Sequence, residues 1–205
     1  GLGTAHKLAI FYSIKYNYDF LVTMDADFSH DPSQINSLIE KSEVNNFVIG
    51  SRFCKAGKLD YTGLRKIISI GGNFFAKKIL NININELTTY FRVYSVKLLK
   101  KLPYDELKAQ GYSLGVKIVW MMKKLNAKLI EVPIHFKDRN KGKSKIPKFQ
   151  IFVSFFDLIY IKFQDFFIKN KFYSENPTYR FDKKCDNFNF NFFSLKKKLF
   201  QCLVC

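Results

Sequence analysis

The chain has 205 residues, 47% hydrophobic and 25% charged, which suits one domain with a sizeable core and argues against wholesale disorder. A formal charge of +17 calls for a polyanionic partner, whether nucleic acid, phosphorylated substrate or anionic lipid. Cys54, Cys185, Cys202 and Cys205 form neither a disulfide framework nor a complete zinc spacing, so a reducing setting is the default. Residues 4 to 17 read as a helix with Ala5, Leu8, Ala9 and Tyr12 on one face. The apolar run at 19 to 25 predicts a strand. Asp31-Pro32-Ser33-Gln34 then opens a helix, with Asp31 as N-cap, Pro32 in the first turn and Gln34 placed to close a capping box. Phe47 to Arg52 predicts another strand, and residues 63 to 80 a helix whose Gly71-Gly72 pair allows close packing. A short strand at 90 to 94 leads into a helix at 95 to 102. Residues 112 to 125 read as helix, and 128 to 136 (KLIEVPIHF) as strand. This alternation implies an α/β fold with a mainly parallel sheet.

Within that frame, MDADFSHDP at 24 to 32 carries the strongest chemical signal. Asp25 and Asp27 follow directly on an apolar strand, where burying either charge without a partner is costly. The i, i+2 spacing sends both carboxylates to one side of the chain, so they repel unless a cation lies between them. A hard divalent ion, Mg²⁺ or Mn²⁺, with a phosphate as further ligand suits an all-oxygen pair. Ligands of parallel sheets bind at the carboxyl ends of the strands. Asp25, Asp27, Arg52 and the Lys137-Asp138-Arg139 run all fall at or just past such ends. Arginine is scarce here, at five residues among the 34 basic ones. In a lysine-rich background, a retained arginine points to a place where a planar bidentate fork is needed.

Residues 149 to 169 repeat aromatic residues at helical spacing, with Phe152, Phe155, Phe156, Phe163, Phe166 and Phe167 among them. Lys141, Lys143, Lys145 and Lys148 precede the run, and Asp157 and Asp165 interrupt it. The apolar stretch is too short and too charged to span a bilayer, but it suits a helix lying in a membrane interface. A helix packed on its own domain fits the periodicity equally well. Beyond residue 170 the sequence loses pattern, as in Asn187-Phe188-Asn189-Phe190 and Lys196-Lys197-Lys198.

Taken in order, GLGTA, MDADFSHDP, GSRF, LRKIIS with the GGN that follows it, ELTTYFRVY, GYS, EVPIHFKDR and GKSK resemble the dolichyl- or polyprenyl-phosphate mannose synthases. These belong to glycosyltransferase family 2 and have the GT-A fold. A lone D-x-D is a weak signal; the ordered set, covering residues 1 to about 150, is a specific one. The chain opens on Gly1-Leu2-Gly3 without an initiator Met. It is therefore expected to lack roughly 60–90 residues, about two βα units, that in the family hold much of the nucleotide base.

The resemblance implies a metal-dependent inverting glycosyltransferase, moving mannose from GDP-mannose to a polyprenyl or dolichyl phosphate. Asp25 would lie near the ribose and diphosphate, and Asp27 would ligate the metal, with Ser29 contributing through water. Arg52, Arg65 and Ser69 match positions that grip the acceptor phosphate. Arg139 would contact the donor diphosphate and act in catalysis, assisted by Ser144 and Lys145. The expected organisation is a partial GT-A catalytic domain over 1–148, an interfacial helix over 149–169 and a low-complexity basic and aromatic tail over 170–205. The expected location is peripheral, on the cytoplasmic face of a membrane. Glu86 replaces the family's Asp in its segment, and Lys117 stands where many relatives carry an acid. A UDP-glucose donor remains an alternative within the same fold. A basic module binding nucleic acid or membrane without catalysis is the alternative of another class, although it leaves the paired carboxylates unexplained.

Overall fold

The computed structural model describes residues 2–103, 111–138, 150–167 and 199–204. In chain order the elements are α1 (Leu2–Lys15), β1 (Phe20–Asp25), a 3-10 turn at Pro32–Gln34, α2 (Ile35–Glu40), β2 (Asn46–Ser51), β3 (Lys58–Leu59) and α3 (Gly63–Ile79). They continue with β4 (Arg92–Ser95), α4 (Val96–Leu99), α5 (Gly111–Lys124), β5 (Lys128–Pro133), β6 (His135–Phe136), α6 (Gln150–Phe167) and β7 (Leu199–Val204). Three helix ends share one device. Asn17, Asn81 and Asn126 adopt positive φ after α1, α3 and α5. The next residue's N–H then reaches back five positions, Tyr18 to Ser13, Ile82 to Lys77 and Ala127 to Met122. This closes each helix as a short polar residue in the left-handed region allows.

The main sheet has the order β5-β2-β4-β1-β7. β4 runs antiparallel to both β1 and β2, while β5 is parallel to β2 and β7 to β1. Four strands thus point one way, and the sheet is mixed, with the reversed strand at its centre. Period-two alternation divides the core between the two faces. Leu21, Phe47, Ile49 and Tyr94 face a larger cluster with Ile10, Leu114 and Trp120. Phe20, Val22, Met24, Val48 and Val93 face a smaller one with Leu38 and Ile134.

Several sequence expectations change here. The strand expected over 128–136 divides after Pro133, and His135–Phe136 pairs with β3 in a second, two-stranded sheet. Ile134 is the pivot: its N–H goes to Ser51 O and its carbonyl accepts from Lys58 N. Asp31 does cap the turn at 32–34, accepting from Ser33 N, but Gln34 Oε1 is buried without a partner, so no capping box forms. Gly71 and Gly72 do not mediate close packing, since a Cβ at either would meet nothing within 4 Å. The helix over 149–169 is observed as α6, packed on α3 and α5, with Leu158 and Ile161 buried in the larger core cluster. It thus belongs to the same domain, while Phe155, Phe156, Tyr160 and Phe163 stay exposed. Residues 199–204, read as part of a patternless tail, form the strand beside β1.

Candidate active site

β1 delivers the acidic pair. Asp25 ends the strand, and the chain then turns sharply through Phe28, which has a φ of 64° and is 82% exposed. Such a conformation is uncommon for a bulky residue and needs local support. The support is visible: Asp27 Oδ1 accepts from Ser29 N at 3.1 Å, an Asx turn of the kind short acidic side chains form. Asp25 N–H donates to His30 Nδ1 at 3.1 Å, so that nitrogen is the unprotonated one. His30 Nε2 meets Thr89 Oγ1 at 3.2 Å. Burial, and then the nearby Arg52, lower the His30 pKa to about 4. With both ring nitrogens engaged and the ring neutral, His30 fixes the acidic loop and is not a general base.

Asp25 and Asp27 are partly exposed, and among the described residues no third His, Cys, Asp or Glu joins them as a metal cluster. Two carboxylates with no imidazole or thiolate suit Mg²⁺ or Mn²⁺, which keep waters and take phosphate oxygens in their remaining positions. The Ser29 hydroxyl is buried without a hydrogen-bond partner, which leaves its oxygen for a water or the cation. The residues therefore fit such an ion.

A second cluster forms beside this loop. Arg52, just past β2, donates to Glu86 through Nε at 2.7 Å and Nη2 at 2.9 Å. It also donates to Thr88 Oγ1 and to the Tyr61 hydroxyl, each at 3.0 Å. Glu86 is fully buried. Burial alone raises its pKa, yet the Arg52 guanidinium and the Thr88 hydrogen bonds outweigh that and hold it below the usual carboxylate range. The Tyr61 hydroxyl donates a hydrogen bond to Ser69 Oγ at 3.0 Å, and its ring lies 4.1 Å from the Arg65 guanidinium carbon. Arg52, Arg65 and Ser69 are thus brought together through Tyr61. Their exposure differs: the Arg65 side chain is 43% exposed and the Arg52 side chain only 8%. Arg52 is held by protein acceptors and shapes the cluster, whereas Arg65 presents its face to solvent.

The segment after β6 joins the two clusters. Lys137 N–H donates to Ser29 O at 3.0 Å, and Lys137 Nζ meets Asp31 Oδ2 at 3.1 Å. Asp138 Oδ1 accepts from Arg65 Nη1 at 2.8 Å. Phe136 packs against His30 and Tyr61, with Arg52 over its ring. Arg139, Ser144 and Lys145, expected at the donor diphosphate, lie outside the described residues. Local pattern placed Asp138 in the run at a strand end but missed the connecting residues Tyr61 and Phe136. The one signal available was that Phe136 and Asp138 flank Lys137 at a strand end.

The glycosyl transferase family 2 model matches residues 14–103, which span the acidic loop, Arg52, Arg65, Ser69 and Glu86. Undecaprenyl-phosphate mannosyltransferase of Micrococcus luteus is 34% identical over 147 residues, 71% of this chain and 60% of that protein. Polyprenol monophosphomannose synthase of Mycolicibacterium smegmatis is 28% identical over 148 residues, 71% of this chain and 56% of its own length. The chain spans less than two thirds of either relative.

Proposed function

Residues 14–103 belong to glycosyl transferase family 2, and from that premise we propose that the chain acts in transfer of a sugar, mannose from GDP-mannose, onto a polyprenyl phosphate. The observation that carries this reading is the junction at 137–138. It ties the carboxylate loop to Arg65 through Lys137–Asp31 and Asp138–Arg65. A donor diphosphate held at Asp25 and Asp27 would then lie beside an acceptor phosphate held at Arg65 and Ser69.

In this mechanism Asp25 and Asp27 would hold Mg²⁺ or Mn²⁺, with Ser29 contributing through water. An ion bound there would supply positive charge beside the departing nucleoside diphosphate. Arg65 offers a planar fork to the acceptor phosphate, and the Ser69 hydroxyl donates a further hydrogen bond. Arg52 keeps Tyr61 and the Glu86 segment in place behind them. A phosphate monoester has a second pKa near ~6 and is largely dianionic at neutral pH. It needs orientation and no deprotonation, in keeping with the absence of a free base at His30. One acceptor oxygen forms the new bond to the anomeric carbon as the bond to the diphosphate breaks on the opposite face, inverting the configuration. Arg139, with Ser144 and Lys145, completes the donor side of the proposal. Attachment is peripheral, at the cytoplasmic face of a membrane, through the exposed aromatics of α6.

The test is transfer of label from GDP-mannose or UDP-glucose to a short-chain polyprenyl phosphate by the complete protein. Label from GDP-mannose should enter the organic phase and stop doing so with EDTA. Transfer from UDP-glucose alone would move the assignment to the other donor. No transfer from either by the folded protein would overturn the reading.

A further inference from the structure

The cluster around Arg52 contains a chain of hydrogen bonds whose direction is fixed from one end. A guanidinium can only donate. Arg52 Nη1 lies 3.0 Å from the Tyr61 hydroxyl, so that oxygen accepts there. A tyrosine hydroxyl carries one proton, and Tyr61 gives it to its other partner, Ser69 Oγ, at 3.0 Å. Ser69 is therefore the acceptor in that bond, and its own proton is left to point elsewhere. The starting end is locked, because the buried Glu86 carboxylate holds Arg52 through both Nε and Nη2.

A serine in a helix ordinarily spends its proton on a carbonyl three or four positions back. Ser13, Ser37 and Ser42 do so, donating to Ile10 O, Gln34 O and Leu38 O at 2.7 to 3.0 Å. Ser69 makes no such bond among the described residues, and it is partly exposed. Its backbone is pinned from the inner stripe of α3: Asn73 Nδ2 donates to Ser69 O at 2.9 Å, while Asn73 Oδ1 accepts from Leu87 N at 2.7 Å. Arg65 stands one helical turn before Ser69, so the two share a face. The Arg65 guanidinium carbon sits over the Tyr61 ring, 4.1 Å from its centre, within reach of a cation–π contact. Tyr61 itself is 5% exposed and meets Phe136 edge-on at 5.8 Å. One buried side chain thus sets a guanidinium through its ring and a serine proton through its hydroxyl. Arg65 and Ser69 then both present donors, which suits a ligand that only accepts, such as a fully ionised phosphate.

We infer that Tyr61 is a positioning residue of the acceptor site: it relays the fixed polarity of Arg52 to Ser69, so that Ser69 donates to the acceptor phosphate. Without the Tyr61 hydroxyl, the Ser69 proton can fall back on the carbonyl one turn earlier, as in the other helical serines. The phosphate then meets a serine that has spent its donor. This role rests on the proposed seating of the acceptor phosphate at Arg65 and Ser69, and the experiment separates the two readings.

The experiment is calorimetric titration of the complete protein with farnesyl phosphate, a short polyprenyl monophosphate. Four proteins are compared: wild type, Tyr61→Phe, Ser69→Ala and the double variant. Tyr61→Phe keeps the ring and its contacts with Arg65 and Phe136, and circular dichroism checks the fold. Ser69→Ala should weaken binding about tenfold and Tyr61→Phe about fivefold. The double variant should bind no more weakly than Ser69→Ala alone, because the Tyr61 hydroxyl acts only through Ser69. In steady-state transfer, Tyr61→Phe should raise the KM for farnesyl phosphate and leave the donor KM in place. KM belongs to the folded molecules alone, so a partly unfolded variant does not mimic this split. Wild-type binding by Tyr61→Phe, or a double variant showing the product of the two losses, would overturn the inference and leave the acceptor site standing. Wild-type binding by Ser69→Ala would overturn the acceptor site at Ser69, and the inference with it.

Discussion

Replacing Glu86 by alanine probes the support of the candidate site most severely. Its carboxylate accepts from Arg52 Nε and Nη2, Thr88 N, Thr88 Oγ1 and Thr89 N, at 2.7 to 3.1 Å. Removal leaves a guanidinium on a side chain only 8% exposed without its counter-charge, and two backbone N–H groups without an acceptor. Breaking one partner of a buried pair costs about 3–5 kcal/mol, a large share of the stability of a domain this size. For a chain of this length the midpoint of thermal unfolding should fall by about 10 °C. The paired change Arg52→Met/Glu86→Leu removes both charges together and should cost only about 1–2 kcal/mol. Chemical unfolding of the wild type, Arg52→Met, Glu86→Leu and the double variant closes a double-mutant cycle. A Glu86→Ala loss under about 1 kcal/mol, or a double variant as unstable as the sum of its singles, would refute the buried, mutually dependent pair.

Asp27→Asn should abolish metal-dependent donor binding in calorimetry and lower stability by less than about 1 kcal/mol, because the side chain is half-buried at a strand end. Tight Mg²⁺-dependent binding by the variant would remove Asp27 from the metal. Arg65→Lys should raise the KM for a short-chain polyprenyl phosphate about tenfold and leave the donor KM in place, since an ammonium keeps the charge but lacks the fork; equal losses on both sides would make Arg65 structural. Acid should weaken the fold between pH 6.5 and about 4. An unfolded histidine takes up its proton near 6.5, whereas folded His30 resists until about 4, so the unfolded state binds more protons and stability falls with pH. The His30 share is about 3 kcal/mol, and His30→Gln should flatten the slope of the urea midpoint across that window. An unchanged slope would mean that the ring is not buried neutral.

The parts of this molecule legible in its sequence are those set by local pattern. The strand ending at Asp25, the Asp31 cap and the strand before Arg52 appear within a residue or so of their expected places. Alternation of apolar residues announces a buried strand but says nothing of its direction, so the reversal of β4 came from the structure alone. Pro133 is compatible with a strand's end or its edge, and only the pairing of His135 with Lys58 decides that the strand divides there. The Arg52–Glu86 pair spans 34 positions, and Tyr61 binds Arg52, Ser69 and Arg65 from a segment with no periodicity. Such contacts depend on tertiary placement and leave no local trace. α3 misleads in another way. Gly71-Gly72 reads as a packing contact, but the packed stripe proves to be the polar one, because Asn73 has Leu87 N to bond.

The central claim is that the carboxylates of the 25–27 loop and the phosphate-gripping cluster around Arg65 serve one reaction centre. Phosphorus NMR of a short-chain polyprenyl phosphate bound to the complete protein, with Mn²⁺ and a nucleoside diphosphate added, tests it most directly. The paramagnetic ion held at Asp25 and Asp27 should broaden the lipid-phosphate resonance strongly, and Asp27→Asn should restore a sharp line while the lipid stays bound. A resonance that stays sharp in the wild-type complex, or broadens equally in Asp27→Asn, would show that metal and acceptor do not meet there.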